Sequence, residues 1–227
     1  MNLTKTSKQK PFAWSYSRLK NYETCPKRHY HCDIAKDVKE EESEALLWGN
    51  EVHKQLARRL AKGTALPDGM EQYEDWCAKI IGNGDGRLLV EQKLAITKDF
   101  APCGFFDGGA WFRGIGDVIK IVGPVALIAD WKTGKIVEDS MQLALMAACV
   151  FAHYPDVQRV RSEFIWLKED ATTREDFSRD DLVGVWRSLW PRIEQLEAAY
   201  VAVAYPPKPG RLCRNWCPVA QCPHHGE

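Results

Sequence analysis

The chain has 227 residues, of which 45% are hydrophobic and 27% charged, which is typical of a globular protein with one domain and at most a small appendage. Its 31 basic residues equal its 31 acidic ones, so any contact with nucleic acid must come from local patches rather than from net charge. No apolar run approaches the ~20 residues of a membrane span, and the basic N-terminus lacks the apolar core of a secretory signal, so we expect a cytoplasmic protein without membrane contact.

Helices are predicted for the first third of the chain. Residues 1–13 are predicted to be a disordered lead, and Ser15 is the expected N-cap of a first helix that Pro26 ends or kinks. A second helix is predicted from about Glu44 to Lys62 and a third from about Met70 to Ile81, because a glycine-containing segment follows each pattern.

The hydrophobic period then changes to that of strands. Strands are predicted over 88–96, 111–122, 125–132 and 159–167, with a helix over 140–154 before the last of them and a long helix from about Arg179 to Ala204 after it. The core order is therefore β-β-β-α-β, preceded by helices. We expect one domain over residues 14–205, followed over 206–227 by a Pro-rich linker and a cysteine-rich tail that packs on the N-terminal helix.

The segment "GDVIKIVGPVALIADWKTGK" (116–135) predicts a buried hairpin that contains charged residues. Because strand side chains alternate, Asp130 and Lys132 point the same way at the end of an apolar strand. Pairing about the turn at 123–124 places Asp117 roughly opposite Asp130, so two carboxylates are expected to be neighbours.

Adjacent carboxylates repel each other unless a divalent cation lies between them. A lysine two residues further along can orient a water molecule and balance the charge of a phosphate. This combination is suited to metal-assisted phosphodiester hydrolysis. The alternative interpretation is that Asp130 and Lys132 are strand-end residues that meet solvent beside a turn.

The hairpin resembles the core of the PD-(D/E)XK nucleases, in particular their RecB-like exonuclease branch, with Asp117 as the first aspartate and Asp130-Trp131-Lys132 as (D/E)-x-K. "SYSRLKNYETCPKRHYH" (15–31) resembles that branch's S-x-S-x-L-x-x-(Y/F)-x-x-C-P-x-x-Y helix, and "GNEVHKQL" (49–56) its G-x-x-x-H helix. The motifs follow in order along nearly the whole chain. The resemblance implies an α/β, restriction-endonuclease-like fold, in which helices flank a mixed sheet.

The same resemblance implies roles for further residues. His53 matches a metal ligand, so Mg²⁺ or Mn²⁺ is expected on His53, Asp117 and Asp130, with Lys132 acting on the water. Judged from the residues alone, His53 lies on an apolar helical face and is equally explained as a core histidine.

Two further positions are candidates for the same site. Glu91, in the strand before the hairpin, is either another active-site carboxylate or an exposed strand residue. Gln142 resembles the glutamine of a Q-x-x-x-Y helix that lies beside the active site, although Met146 stands where the tyrosine is expected.

The tail "CRNWCPVAQCPHH" contains Cys213, Cys217 and Cys222, one ligand short of a tetrahedral metal site. Cys25 is a candidate for the fourth. The arrangement resembles the iron–sulfur nucleases of the RecB-like branch, which implies a [4Fe-4S] cluster joining the two ends of the chain. Zinc held by the three cysteines with Cys25, His224 or His225, and cysteines without any metal, are the alternatives.

Basic residues near these motifs predict DNA contacts. Lys54, Arg58 and Lys62 form a stripe on the predicted helix of His53, and Lys27 and Arg28 lie beside Cys25; a solvated helix face is the alternative. The aromatic residues Trp14, Tyr16, Trp48 and Trp111 are candidates for stacking on single-stranded bases, with a core position as the alternative.

Together these features predict a divalent-metal-dependent DNA nuclease, an exonuclease of recombination or DNA processing rather than a site-specific enzyme. The expected partner is DNA, with single-stranded DNA and free ends among the candidates. The competing hypothesis is a non-catalytic module that binds DNA or protein and is stabilised by a structural metal.

Overall fold

The computed structural model of the protein describes residues 11–137 and 139–227. Most of the lead predicted for residues 1–13 lies outside these ranges. Of its described residues, Phe12 packs against the core, and its ring lies 5.5 Å from that of Tyr200.

The first two α-helices of the described chain are short, and the three longest come later. Ser15 caps the first helix as predicted, because its Oγ accepts a hydrogen bond from the backbone N of Arg18 at 3.4 Å. A π-helical turn (Tyr30–Ala35) and a 3₁₀ turn (Glu71–Tyr73) lie between the α-helices. The helices are α1 (Tyr16–Thr24), α2 (Pro26–His29), α3 (Glu44–Lys62), α4 (Glu74–Ile81), α5 (Met141–His153), α6 (Asp181–Ala202) and α7 (Leu212–Asn215).

A single six-stranded sheet forms the centre of the described structure, with strand order β2-β1-β3-β4-β5-β6. All neighbouring strands are antiparallel except β4 and β5, which are parallel because the crossover helix α5 connects them. The strands are β1 (Arg87–Ile96), β2 (Pro102–Cys103), β3 (Phe112–Val122), β4 (Val125–Lys132), β5 (Arg159–Trp166) and β6 (Ala171–Phe177). This mixed sheet flanked by helices confirms the predicted fold class.

The sheet has a hydrophobic core on each face, as the alternation of its side chains requires. Ile128 of β4 belongs to the core that includes α5, whereas Ala129 and Trp131 belong to the core that includes α3 and α4. Residues at the end of β4 can therefore be reached from helices on both sides.

The sequence did not predict β2 and β6. Along β6, exposed residues alternate with half-buried ones, because the strand lies at the edge of the sheet. Its contacts with β5 include ion pairs such as that of Asp176 with Arg161. An edge strand of this kind carries no apolar run from which it could be recognised.

No helix within the described ranges is long and apolar enough to cross a membrane.

Candidate metal and active site

The two arms of the hairpin separate at the position where the carboxylates were expected. The β3–β4 ladder ends at Val118 and Ala129, in the register that places Asp117 opposite Asp130. Beyond that point the Asp117 Oδ2 accepts a hydrogen bond from the backbone N of Trp131 at 2.9 Å. The Asp117 carboxylate thus lies between the strands, rather than on the face shared with Ile119 that simple alternation predicts.

The opposite edge of β3 is interrupted at the same level. In the β1–β3 ladder Val90 pairs with Val118 and Gln92 with Gly116, but Glu91 and Asp117 are not paired. Glu91 has a φ of 51°, a left-handed conformation that is unfavourable for a residue with a Cβ atom. Strain of this kind is maintained by surrounding structure and is frequent at functional sites.

Helix α3 brings His53 to this opening. Gly49 lies one turn before His53, and a Cβ atom at Gly49 would lie 2.9 Å from Oγ1 of Thr133. The absent side chain therefore lets α3 approach the segment that follows β4. At this distance His53 Nδ1 lies 3.2 Å from Asp117 Oδ2.

His53, Glu91 and Asp117 each offer one ligand atom, and the three atoms lie within 4.8 Å of one another. Ligand atoms on opposite sides of an ion at ~2.1 Å are ~4.2 Å apart, so a small adjustment would fit these donors to Mg²⁺ or Mn²⁺. The two carboxylates suit the oxygen-ligand preference of Mg²⁺ and Mn²⁺. A cavity of about 650 Å³ opens over the group.

Asp130 lies outside this group and is held by residues on the other face of the sheet. Its Oδ1 accepts a hydrogen bond from Gln142 Nε2 at 2.7 Å, and its Oδ2 lies 2.6 Å from Lys132 Nζ. Lys132 Nζ also donates to Gln142 Oε1 at 3.3 Å and lies 4.7 Å from the ring centre of Phe164. The buried Oδ2 is held by this ion pair with Lys132 and has no other partner among the described residues.

The pKa values report an excess of negative charge at the site. Burial, and then the neighbouring charge of Asp117, raise the pKa of Asp130 to about 6. Glu91 is exposed by its accessible surface, but partial loss of hydration and then the charge of Asp117 raise its pKa as well. Burial acts to lower the pKa of His53, but its hydrogen bond to Asp117 and the charges of Asp117 and Asp130 raise the pKa overall. A divalent cation would relieve this repulsion.

The predicted basic residues are divided between two places. Lys54 and Arg58 line the cavity over His53, whereas Lys62 does not. Lys27 and Arg28 line the cavity of the cysteine tail, where Arg28 forms an ion pair with Glu40. Of the aromatic candidates, Trp14 and Trp111 are buried in the core.

The cysteine tail contacts the N-terminal helices. Cys25, Cys213, Cys217 and Cys222 line one small cavity, together with His224. The backbone N of Lys208 lies 3.5 Å from the Sγ of Cys25, and the backbone N of Gly210 lies 3.4 Å from the Sγ of Cys213. Sequence reasoning found these cysteines but gave no role to the Lys208 and Gly210 amides.

Substitution of Glu91 by glycine separates the strain from the ligand. Because glycine tolerates a φ of 51°, Glu91→Gly should raise the free energy of unfolding in EDTA by about 0.5 to 1 kcal/mol. The same change should weaken Mn²⁺ binding in calorimetry, because it removes a donor. The matched control is Lys36→Gly, since exposed Lys36 has a φ of 55°: it should gain similar stability and bind Mn²⁺ as wild type does. Unchanged Mn²⁺ affinity in Glu91→Gly would exclude Glu91 as a ligand.

The raised pKa of Asp130 predicts a pH-dependent stability for the metal-free protein. The native state holds this proton more tightly than the unfolded state, so stability should fall as pH rises from about 4 through about 6. At pH 8 in EDTA, the free energy of unfolding of Asp130→Asn should therefore exceed that of wild type by roughly 1 to 3 kcal/mol. This difference should disappear near pH 4.

The control for this experiment is Asp176→Asn. Arg161 lowers the pKa of Asp176, so this variant should lose stability at pH 8 rather than gain it. An Asp130→Asn protein that melts below wild type at pH 8 would show that the ion pair with Lys132 outweighs the burial of the charge.

Comparisons with known proteins identify the family of the chain and a shared fold. The sequence model of the PD-(D/E)XK nuclease superfamily matches residues 13–223. A crystal structure from Eubacterium rectale, titled "Putative exonuclease", has a TM-score of 0.56 at 15% identity and covers 95% of this chain and 92% of its own. At that identity it shows a shared fold. A second solved structure, SSO0001, has a lower TM-score of 0.47 at 13% identity, and the match covers 94% of this chain and 86% of its own. No curated protein matches the sequence. Because the family model spans nearly the whole chain, the protein belongs to the PD-(D/E)XK nuclease superfamily.

Proposed function

We propose that the protein is a divalent-metal-dependent DNA nuclease that acts as an exonuclease in recombination or DNA processing. The observation that carries the proposal is the convergence of His53, Glu91 and Asp117 at the opening between β3 and β4, next to Asp130 and Lys132. The structurally similar protein from Eubacterium rectale is described as an exonuclease, which favours this activity.

Mg²⁺ or Mn²⁺ would be held by His53, Asp117 and Glu91, and by Asp130 once its Oδ2 is released from Lys132. A cation in this position would lower the pKa of a bound water molecule and neutralise charge on a phosphate. Lys132 would then be free to orient the water or to contact a phosphate oxygen. Gln142 donates to Asp130 and accepts from Lys132, so it keeps both groups in place.

Lys54 and Arg58 are the proposed phosphate contacts on the metal side. Both are exposed, and both line the cavity over His53. Lys54 lies 2.9 Å from Glu51, an exposed pair that costs little to exchange for a phosphate. DNA that extends beyond this cavity would be needed to contact the remaining candidates, Lys62, Lys27 and Arg28.

The competing hypothesis of a non-catalytic binding module is less favoured by the energetics. The strained backbone of Glu91 and the buried charge of Asp130 both lower stability, and a binding surface requires neither. An active site in which a cation offsets these costs accounts for both.

The decisive experiment is a nuclease assay with Mg²⁺ or Mn²⁺. Asp117→Ala, Asp130→Ala and Lys132→Ala should each lower cleavage by at least about 100-fold, and a double variant should lose little more, because the residues serve one water and one metal. Asp176→Asn, on exposed β6, is the control and should cleave as wild type does. Full activity in Asp130→Ala would refute the proposed active site.

We further propose that Cys25, Cys213, Cys217 and Cys222 bind a [4Fe-4S] cluster. Within the described residues no three of these sulfurs lie within 4.8 Å of one another. A zinc ion with Zn–S bonds of ~2.3 Å would require sulfurs about 3.8 Å apart, whereas a four-iron cluster holds its thiolates further apart. The backbone N atoms near Cys25 and Cys213 are the kind of donor that stabilises cluster sulfurs.

Losing the cluster should destabilise both ends of the chain. Cys25→Ser and Cys217→Ser should lose metal and thermal stability to a similar extent, although the two residues lie near opposite ends of the chain. Cys103→Ser, in β2, is the control and should keep both. Protein purified without air should be brown and contain iron and inorganic sulfide. Colourless protein with one zinc would favour the zinc alternative, and full metal content in Cys25→Ser would exclude Cys25.

A further inference from the structure

A second cavity system lies on the α5 face of the sheet, away from the metal donors. Its larger cavity, of about 690 Å³, has Gln142 and Met146 at one end and α1 along one wall. A neighbouring cavity of about 380 Å³ shares Arg18, Phe106 and Arg113 with it. The two therefore form one groove, which Gln142 also lines, and Gln142 contacts both Asp130 and Lys132.

One wall of the groove is the loop between β2 and β3, with two adjacent phenylalanines. Phe106 is 78% exposed, and its ring centre lies 5.1 Å from that of Phe105. An apolar ring this exposed has no packing role in the described structure. Lys93 Nζ lies 5.4 Å from the Phe106 ring centre, and the Arg113 guanidinium carbon lies 5.9 Å from that of Phe105.

Two arginines at the junction of the cavities have unused hydrogen-bonding capacity. The Nε of Arg113 is buried without any partner, and its Nη2 makes only a long hydrogen bond of 3.4 Å to the carbonyl oxygen of Asp107. Arg18 makes a similarly long bond of 3.4 Å to the carbonyl oxygen of Ala13. A buried guanidinium N–H without an acceptor is costly, and an anionic ligand in the groove would satisfy it.

The carboxylates beside the groove offset this positive charge only in part, because Asp33 and Asp107 face four basic residues along the two cavities: Arg18, Lys20, Lys36 and Arg113. Asp33 lies close enough to Arg18 to interact with its charge, accepts a hydrogen bond from Asn21 at 3.0 Å and contacts His29 Nδ1 at 2.8 Å. Asp107 accepts from the backbone N of Gly104 at 2.7 Å, and Asp139 accepts from the Tyr16 hydroxyl at 2.6 Å. The groove therefore presents positive charge beside exposed aromatic rings.

We propose that this groove binds one unpaired strand of DNA, with bases stacked on Phe106 and Phe105 and phosphates held by Arg18 and Arg113. Stacking on a protein ring requires a base that is not paired within a duplex, which makes the ligand a single strand. Because Gln142 lines the groove, a strand held there would pass beside the residue that contacts Asp130 and Lys132. The inference rests on the proposed nuclease function and specifies its substrate.

The test is equilibrium binding in EDTA, where no metal-dependent cleavage occurs. The probe is a fluorescent oligothymidylate of about 10 nucleotides, within the ~4–16 nucleotides of known single-strand sites. Phe106→Ala should bind it about 5-fold to 150-fold more weakly, the equivalent of about 1 to 3 kcal/mol of stacking. Arg113→Gln should lower the salt slope by about 0.7, corresponding to one phosphate. Binding of a blunt duplex should be unchanged in both.

The controls are Trp216→Ala and Arg187→Gln, which alter an exposed aromatic residue and an exposed arginine that do not line the groove. Both should bind the oligothymidylate as wild type does. Normal oligothymidylate binding by Phe106→Ala, or equal loss of single-strand and duplex binding, would overturn the inference. Phe106 is so exposed that its variant remains informative even if Arg113→Gln fails to fold.

A cleavage assay with Mn²⁺ separates this inference from the proposed function. If wild type binds the single strand but cleaves no DNA, the proposed nuclease activity fails while the groove is supported. If wild type cleaves DNA but Phe106→Ala binds single strands normally, the groove inference alone fails.

Discussion

The site depends on one hydrogen bond, from the backbone N of Trp131 to the carboxylate of Asp117. By accepting this bond the side chain takes the place of a ladder carbonyl, so β3 and β4 separate there without leaving a buried amide unsatisfied. The separation creates a gap near the centre of the sheet, at the level where the β1–β3 ladder is also interrupted. His53, from α3, and Glu91, from β1, both reach this gap because Asp117 faces them across it.

The surrounding structure maintains this gap against two unfavourable terms. Glu91 adopts a left-handed backbone conformation that is unfavourable for L-amino acids, and Asp130 keeps a carboxylate in a buried position. Both residues lie in a sheet with a hydrophobic core on each face, whose packing supplies the stability that these terms reduce. The close approach of α3 at Gly49 adds a further constraint, since any side chain there would meet Thr133 and move His53 away.

The sequence predicted those features that depend on local pattern. The helix Glu44–Lys62 and the strand Val125–Lys132 have the predicted bounds, because their apolar residues recur with a clear period. The register that sets Asp117 opposite Asp130 followed from a two-residue turn, although the ladder itself ends one pair earlier. The conformation of Glu91 was not predictable, because no residue type signals a positive φ on a glutamate. The groove of Phe106 and Arg113 was also missed, since it joins a loop to α1, and no spacing along the chain records that contact.

The two faces of the sheet meet at Asp130, which gives this residue a double role. The alternation of side chains along β4 places Asp130 with Ile128 on the face toward α5, where Gln142 donates a hydrogen bond to it. Its charge nevertheless interacts with the charges of Asp117 and His53 on the other side of the sheet. A strand in the groove would approach from the α5 side, whereas the metal donors converge from the α3 side. A phosphate beside Gln142 in the groove would therefore compete with Asp130 for Lys132, and releasing that ion pair would leave the Asp130 Oδ2 free to bind the cation. Substrate entry and completion of the metal site would then be one event, because both depend on the same lysine.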